Sequence, residues 1–149
     1  MNLKEKITED MKVAMKGGDK LRLSLIRMLK SEIRYKEIEK GEELTDDGVI
    51  AVLSSALKKR KEAIEEFKKG GREDLVAQEE TELKIILSYL PEQLTEEDIL
   101  KLVDESIEEA EAQTSKDVGK VMKVIMPKVK GRADGRKVNQ MVLSRLEEG

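Results

Sequence analysis

The chain of 149 residues contains no cysteine, no histidine and no tryptophan. Without cysteine it cannot form disulfides, zinc–thiolate sites or thiol nucleophiles, and this composition is typical of a reducing compartment, so we expect a cytoplasmic location. Without histidine it lacks the usual general base of catalytic triads and the commonest metal ligand. We therefore expect no catalytic residue, no metal site and no cofactor.

Aromatic side chains and long apolar runs are also scarce. Tyr35, Phe67 and Tyr89 are the only aromatic residues, so a core must be built from Leu, Ile, Val, Met and Ala. No apolar run approaches the roughly 18 residues needed to cross a bilayer, and we expect no membrane partner. Charge, by contrast, is abundant, because 41% of the residues are Asp, Glu, Lys or Arg. Apolar residues recur among these charges at helical spacing, which indicates amphipathic helices.

The apolar spacing predicts an all-α fold. Each of four successive helical patterns ends at a glycine or a proline, namely at Gly17-Gly18, Gly41, Gly70-Gly71 and Pro91. Asp19 and Thr45 stand where N-caps of the second and third helices are expected. Residues 1–91 are therefore predicted to form an N-terminal four-helix region.

Residues 92–149 are predicted to form a smaller, three-helix C-terminal domain. Thr95 has the spacing of a capping box with the acid three residues further on, at the start of the first of these helices. A second helix is expected from about Lys116 to Met126, and the segment Pro127–Ala133 is expected to be a basic loop. Asp134 then stands where an N-cap of the last helix is expected.

Positive charge is concentrated near the C-terminus. Residues 116–145 contain nine cations and two acids, a net charge of +7, whereas residues 1–115 contain 20 cations and 28 acids, a net charge of −8. This asymmetry, an acidic body with a basic tail, predicts a polyanionic partner. On a helical wheel Lys116, Lys120 and Lys123 lie opposite the apolar arc, and no acid along the same helix is placed to neutralise them.

We expect the cations of this segment to contact the phosphates of an RNA. Aromatic side chains that stack on bases are absent after Pro91, so the expected mode is phosphate contact with folded or double-stranded RNA. The predicted RNA-binding residues are Lys120, Lys123, Lys128, Lys130, Arg132, Arg136 and Lys137. Two other interpretations stay open, in which these cations only solvate a surface or pair with the acidic body.

Three motifs carry a family resemblance. They are Tyr89-Leu90-Pro91-Glu92-Gln93-Leu94, Gly119-Lys120-Val121-Met122 and Lys130-Gly131-Arg132-Ala133-Asp134-Gly135. These motifs closely resemble the YqeY family of small bacterial proteins, and the resemblance extends over the full length of the chain. The last part of the chain is also similar to the helical tail domain of the GatB component of the aspartyl/glutamyl-tRNA amidotransferase, which contacts the body of the tRNA. Val121-Met122-Lys123 and Gly131-Arg132-Ala133 match that tail, whereas Asp134-Gly135 stands where the tail has Asn-Pro.

The resemblance implies a tRNA-related or amidotransferase-associated role. The catalytic cradle and the amidase component of that enzyme have no counterpart in this chain, so glutamine-dependent carbon–nitrogen ligase activity is implied only as a family association. The leading hypothesis is a non-catalytic module that binds tRNA or another structured RNA. The alternative is a protein-interaction module that docks on an amidotransferase or another RNA enzyme. An enzyme in its own right is the least favoured interpretation, because histidine and cysteine are missing.

Overall fold

The computed structural model describes residues 1–148, and within them the chain forms seven α-helices and no strand. The helices are α1 (Leu3–Gly17), α2 (Lys20–Lys40), α3 (Asp46–Lys69), α4 (Glu73–Leu87), α5 (Glu96–Glu109), α6 (Val118–Val129) and α7 (Gly135–Glu148). A short 3₁₀ helix, Ser115–Asp117, precedes α6. The prediction of an all-α fold is confirmed.

Side-chain caps fix the starts of several helices at the predicted residues. The side chains of Asp19 and Thr45 accept hydrogen bonds from the backbone N–H three residues further on, at 3.2 and 3.4 Å. Thr95 and Asp98 make both hydrogen bonds of the capping box at the start of α5. These bonds satisfy N–H groups that have no partner inside the helix, which is why Ser, Thr, Asp and Asn favour this position.

The end of α4 differs from its prediction. The helix ends at Leu87, four residues before Pro91, where the sequence pattern had placed its end. The Ser88 hydroxyl donates to the carbonyl of Ile85 at 2.5 Å, and the chain turns through Ser88 and Tyr89. A proline therefore marks the limit of a helix, but a side chain that competes for the last carbonyls can end the helix earlier.

The chain divides into two compact units. The first, here called the N-terminal unit, is Met1–Leu90 and contains α1 to α4; the second, the C-terminal unit, begins at Pro91 and contains α5 to α7. Independent folding is a separate property from compactness. The expectation of two domains, residues 1–91 and 92–149, therefore stays a prediction.

An aliphatic core holds the N-terminal unit together. Its most deeply buried side chains are Ile7, Leu25, Ile26, Leu29, Val49, Leu53 and Ile86. Tyr89 is buried at the edge of this core, and its hydroxyl donates to a carboxylate oxygen of Asp10 at 2.5 Å. Burial, and then the bond to Asp10, raises the pKa of Tyr89 well above its usual range. The one buried aromatic ring therefore ties the segment after α4 to α1.

The C-terminal unit has its own core, built largely from β-branched side chains. Its buried members are Ile99, Val103, Val121, Ile125, Val129, Val138, Val142 and Leu146. They come from α5, α6 and α7 at helical spacing, so each helix turns one apolar face inward. The faces of α6 and α7 that carry cations are therefore directed towards solvent.

Candidate nucleic-acid interface

The helix α6 presents the first part of the basic surface. Thr114 and Asp117 form a capping box around the preceding 3₁₀ helix, and α6 itself begins at Val118 rather than at Lys116. Hydrogen bonds from the N–H groups of Gln113 and Thr114 hold the pKa of Asp117 below its usual range. Val121, Ile125 and Val129 are fully buried, which leaves the opposite face of the helix to the exposed lysines.

The second half of the predicted basic loop is a loop, but its first part is helix. α6 continues through Pro127 to Val129, so the expectation of a loop over Pro127–Ala133 is wrong for its first three residues. Proline lacks the N–H that would bond the carbonyl four residues back, and its ring crowds that carbonyl. Here the burial of Val129, whose side chain has no exposed surface, outweighs that local cost.

The loop after α6 is fastened to the residues that lead into α5. The N–H of Leu94 donates to the carbonyl of Arg132 at 2.8 Å, and the Gln93 side chain donates to the carbonyl of Gly131 at 2.7 Å. In the other direction, Nε of Arg132 donates to the carbonyl of Glu92 at 3.1 Å. Gly131 takes a φ of 72°, in the region that favours glycine. The predicted contact residue Arg132 is therefore also a structural residue, and Gln93 is a positioning residue that the sequence reasoning missed.

Asp134 caps α7 as predicted, and its negative charge affects whether this helix end can bind an anion. Its carboxylate accepts from the N–H of Arg136 at 3.0 Å, and its carbonyl accepts from the N–H of Val138 at 3.0 Å. A helix N-terminus attracts phosphate through its free N–H groups. Because the Asp134 carboxylate already occupies one of them with its negative charge, this helix end is less suited to a phosphate than an uncapped one.

Several predicted RNA-binding residues are already paired with carboxylates of α5. The ammonium of Lys128 lies 2.8 Å from Glu109, and that of Lys137 lies 2.6 Å from Glu96. Lys128 is half-buried on the flank of α6 that faces α5, so it lies apart from the exposed Lys120 and Lys123 of the same helix. The bond from Lys137 holds the pKa of Glu96 below its usual range. Arg145, outside the predicted set, makes two bonds to Asp104, at 2.8 and 3.0 Å.

The acidic partners of these lysines show that negative charge is concentrated on α5. The N-terminal unit has 19 cations and 19 acids and is neutral, whereas the residues from Pro91 onward have 10 cations and 13 acids. Seven of those acids and one lysine lie on α5, a net charge of −6 for that helix. The acidic excess before residue 116 therefore lies in residues 91–115, chiefly in α5, and not in the N-terminal unit. The C-terminal unit itself combines one acidic helix with two basic ones.

The remaining predicted residues are exposed and differ in their partners. Lys120 has only a 3.9 Å contact with Asp117, one turn earlier. Lys130 is exposed at the end of α6. Lys123 and Arg136 are exposed and make no ion pair within residues 1–148. The same is true of Lys116, which helical spacing places on the same side as Lys123.

Met126 connects the two basic helices. A Cβ atom on Gly135 would lie 3.5 Å from Cε of Met126, so the start of α7 lies beside the last turns of α6. Met126 lies between Lys123 and Lys130 on the exposed face of α6 and is itself 39% exposed. Lys123 and Lys130 thus flank Met126 along the chain, and Arg136 follows the glycine that lies beside it; we call this group of residues the Met126 patch.

The acidic side chains outside the basic surface can be compared with the requirements of a metal site. Within residues 1–148, no group of three or more Asp and Glu side chains is placed to hold a metal ion. Two partly buried carboxylates of α4, Glu79 and Glu82, lie 3.9 and 4.0 Å from the guanidinium of Arg60. Burial, and then the charge of Glu79, raises the pKa of Glu82. This cluster lies between α3 and α4, away from the predicted site residues in the chain.

Comparison with known proteins decides the family. The model of the family described as "Yqey-like protein" matches residues 4–146. The chain belongs to the YqeY family. This match covers both units, so the YqeY family pattern includes the basic helices α6 and α7 as well as the N-terminal helices.

Curated relatives in this family come from fungi. "Altered inheritance of mitochondria protein 41, mitochondrial" of Lachancea thermotolerans is 42% identical over 85 residues, which are 56% of this chain and 46% of the relative. The protein of the same name from Pyrenophora tritici-repentis is 32% identical over 130 residues, 86% of this chain and 71% of the relative. An uncharacterized protein of Schizosaccharomyces pombe is 36% identical over 91 residues, 61% of this chain and 74% of the relative.

The matches cover only part of the length of these relatives. The chain spans about half the length (46%) of the Lachancea protein. The expected cytoplasmic location stays a prediction, because the names place those fungal relatives, and not this chain, in mitochondria. Among the described residues, none of the helices has the length and apolar character required to traverse a bilayer.

Proposed function

We propose that this protein is a non-catalytic module that binds tRNA or another structured RNA through the exposed cations of α6 and α7. The observation that carries the proposal is the Met126 patch, where Lys123 and Arg136 are exposed without an ion pair in the described part of the chain. Lys120 and Lys130 extend the same surface. Clustered exposed cations attract a polyanion, and each phosphate contact releases counterions.

The side chains of this surface favour recognition of the shape of an RNA over recognition of its base sequence. The C-terminal unit contains no aromatic side chain that could stack on a base. Its exposed cations lie on two helices and at the end of one of them, which suits the phosphate groups of a folded or double-stranded RNA. The acidic helix α5 would repel the same RNA, so the unit can approach it only with the α6 and α7 side.

The ion pairs with α5 are compatible with this role. The side chains of Lys137 and Glu96 are 47% and 71% exposed, and an exposed pair of this kind contributes about 0–1 kcal/mol to stability. An RNA phosphate can therefore replace the carboxylate as the partner of Lys137. The side chains of Lys128 and Glu109 are 32% and 60% exposed, so Lys128 remains part of the proposed contact surface with a smaller contribution than Lys137.

Association with a tRNA-dependent amidotransferase is part of this proposal, and it is supported by the resemblance of the C-terminal helices to the GatB tail domain. We further propose that the two compact units are separate domains, so that the C-terminal unit presents this surface independently. A tagged chain that retains an amidotransferase after nuclease treatment would support direct docking. Loss of the amidotransferase on nuclease treatment would show that RNA alone bridges the two proteins.

Charge reversal tests the proposed RNA surface. The variant Lys120→Glu, Lys123→Glu, Arg136→Glu removes three exposed cations, and we expect tRNA affinity at 100 mM salt to fall by at least about 100-fold. The control is Lys12→Glu, Lys16→Glu, Lys61→Glu, which makes the same change of net charge at exposed lysines of the N-terminal unit. Both variants should keep the helical content of the parent. Equal loss in the two variants, or no loss in the first, would contradict the assignment.

A further inference from the structure

A groove on the N-terminal unit is separate from the basic surface of the C-terminal unit. It has a volume of about 680 Å³ and lies between the second half of α2 and the first half of α3. Met28, Leu44 and Val52 contribute apolar side chains to it. Its volume falls within the range of about 300–1,000 Å³ that is typical of ligand clefts.

The groove is elongated and its border is cationic. On α3 the lining residues run from Gly48 to Lys59, a distance of about 17 Å along a helix axis at 1.5 Å per residue. Lys36 and Lys40 border the α2 side, and neither they nor Lys59 make an ion pair within residues 1–148. Glu32 is the only acid that lines the groove, so the lining carries a net charge of +2.

An exposed aromatic ring stands at the border. Tyr35 lines the groove and is 67% exposed, although the two other aromatic residues of the chain are buried or half-buried. Tyrosine is enriched among the residues that dominate protein–protein binding, because it offers a large rigid surface with a polar end. An apolar base, an exposed tyrosine and lysines without ion pairs together are typical of a surface that binds another protein.

We propose that this groove binds an amphipathic helix of about three turns, with an acidic border, from a partner protein. A helix that lies along the groove places its apolar face on Met28, Leu44 and Val52, and its carboxylates beside the lysines. Lys40 lies at the loop end of the groove and Lys59 at the other end of the α3 lining, so carboxylates are needed near both ends of the helix. A nucleic acid fits less well, because the base of the groove offers apolar side chains instead of hydrogen-bond donors.

Two designed peptides provide the probe. Both are 18-residue helices whose apolar face carries Leu at positions i, i+3, i+4 and i+7. One peptide has Glu at the positions beside this apolar face, and the other has Lys at the same positions. Each is labelled with fluorescein and titrated with the full chain in fluorescence anisotropy. We expect the Glu peptide to bind at least about tenfold more tightly than the Lys peptide, since only its charges complement the groove.

A charge swap makes the test specific to the groove. In the variant Lys36→Glu, Lys40→Glu, Lys59→Glu we expect the preference to invert, so that the Lys peptide binds more tightly. Ala51→Glu, at an exposed residue of the lining, should weaken both peptides about tenfold or more without a loss of helical content. The control Lys12→Glu, Lys16→Glu, Lys61→Glu and the RNA-surface variant Lys120→Glu, Lys123→Glu, Arg136→Glu should leave peptide binding unchanged.

Several results would overturn the proposal. These are the absence of binding by both peptides at 1 mM, equal binding of the two, or a preference that survives the charge swap. Loss of tRNA affinity in the Lys36→Glu, Lys40→Glu, Lys59→Glu variant would assign these cations to nucleic acid instead. A stable dimer in sedimentation that dissociates on Ala51→Glu would show that a second copy of the chain fills the groove.

Discussion

The ammonium of Lys137 lies 2.6 Å from a carboxylate oxygen of Glu96, so the first turn of α7 is bound to the first turn of α5. A residue predicted to contact RNA thus already has an anionic partner within its own unit. The same pattern holds for Lys128 and Glu109 at the other end of α5. The acidic helix therefore limits how much of the positive charge is available to a polyanion.

Removal of this acidic partner should strengthen RNA binding. In Glu96→Gln the charge of Lys137 is released, and we expect the tRNA affinity to rise about two- to fivefold, the range that an exposed ion pair allows. Competition titration at 100 mM salt measures this. The matched control is Glu97→Gln, which changes the net charge equally at an exposed neighbour that pairs with no cation in the described chain. If both variants gain equally, overall charge and not the release of Lys137 is responsible.

The hydrogen bond from Tyr89 to Asp10 should stabilise the N-terminal unit. Tyr89→Phe keeps the ring and leaves the partly buried Asp10 carboxylate without this donor, so we expect the free energy of unfolding to fall by about 1–2 kcal/mol. Urea denaturation followed by circular dichroism measures the change. Tyr35→Phe removes a hydroxyl from an exposed ring and should change stability by less than about 0.5 kcal/mol. Equal effects of the two substitutions would show that the bond contributes nothing.

The pH dependence of stability should reveal the buried carboxylate of Glu82. Burial and the neighbouring Glu79 raise its pKa above 4.5, so the folded state holds a proton on Glu82 at a pH where the unfolded chain has lost it. This proton favours folding below pH 4.5, and the contribution is lost as the pH rises through the folded-state pKa. Glutamine carries no charge, so Glu82→Gln avoids the cost of a partly buried carboxylate at neutral pH. The stability of this variant relative to the parent should therefore rise from pH 4 to pH 7. Glu80→Gln, at an exposed residue of the same helix, is the control. A difference for Glu82→Gln that does not change with pH, or that equals that of the control, would contradict the assignment.

Much of the fold was predictable because its helix ends are encoded locally. The caps at Asp19, Thr45, Thr95 and Asp134 depend on a side chain and a backbone N–H only two or three residues apart. Pro127 misled the prediction because a local rule for proline was overridden by the burial of Val129, which depends on packing against other helices.

The exposure of the candidate residues could be predicted from the sequence, but their partners could not. Helical spacing places Lys120 and Lys123 on the exposed face of α6, and their role in RNA binding stays a prediction. The pairing of Lys128 and Lys137 with α5 depends on how three helices pack, and no short-range pattern contains that information. Gln93 was missed for the same reason, since its partner Gly131 is 38 residues further along the chain.

The most direct measurement is the affinity of the full chain for bulk tRNA from about 50 to 300 mM salt, with duplex DNA of equal length as the control. We expect tighter binding to tRNA than to DNA, and a plot of log K against log salt with a slope of about −3 to −6, as for three to six phosphate contacts. Failure to bind tRNA even at 50 mM salt would contradict the central claim. The cations of α6 and α7 would then serve contacts within the protein or with another protein.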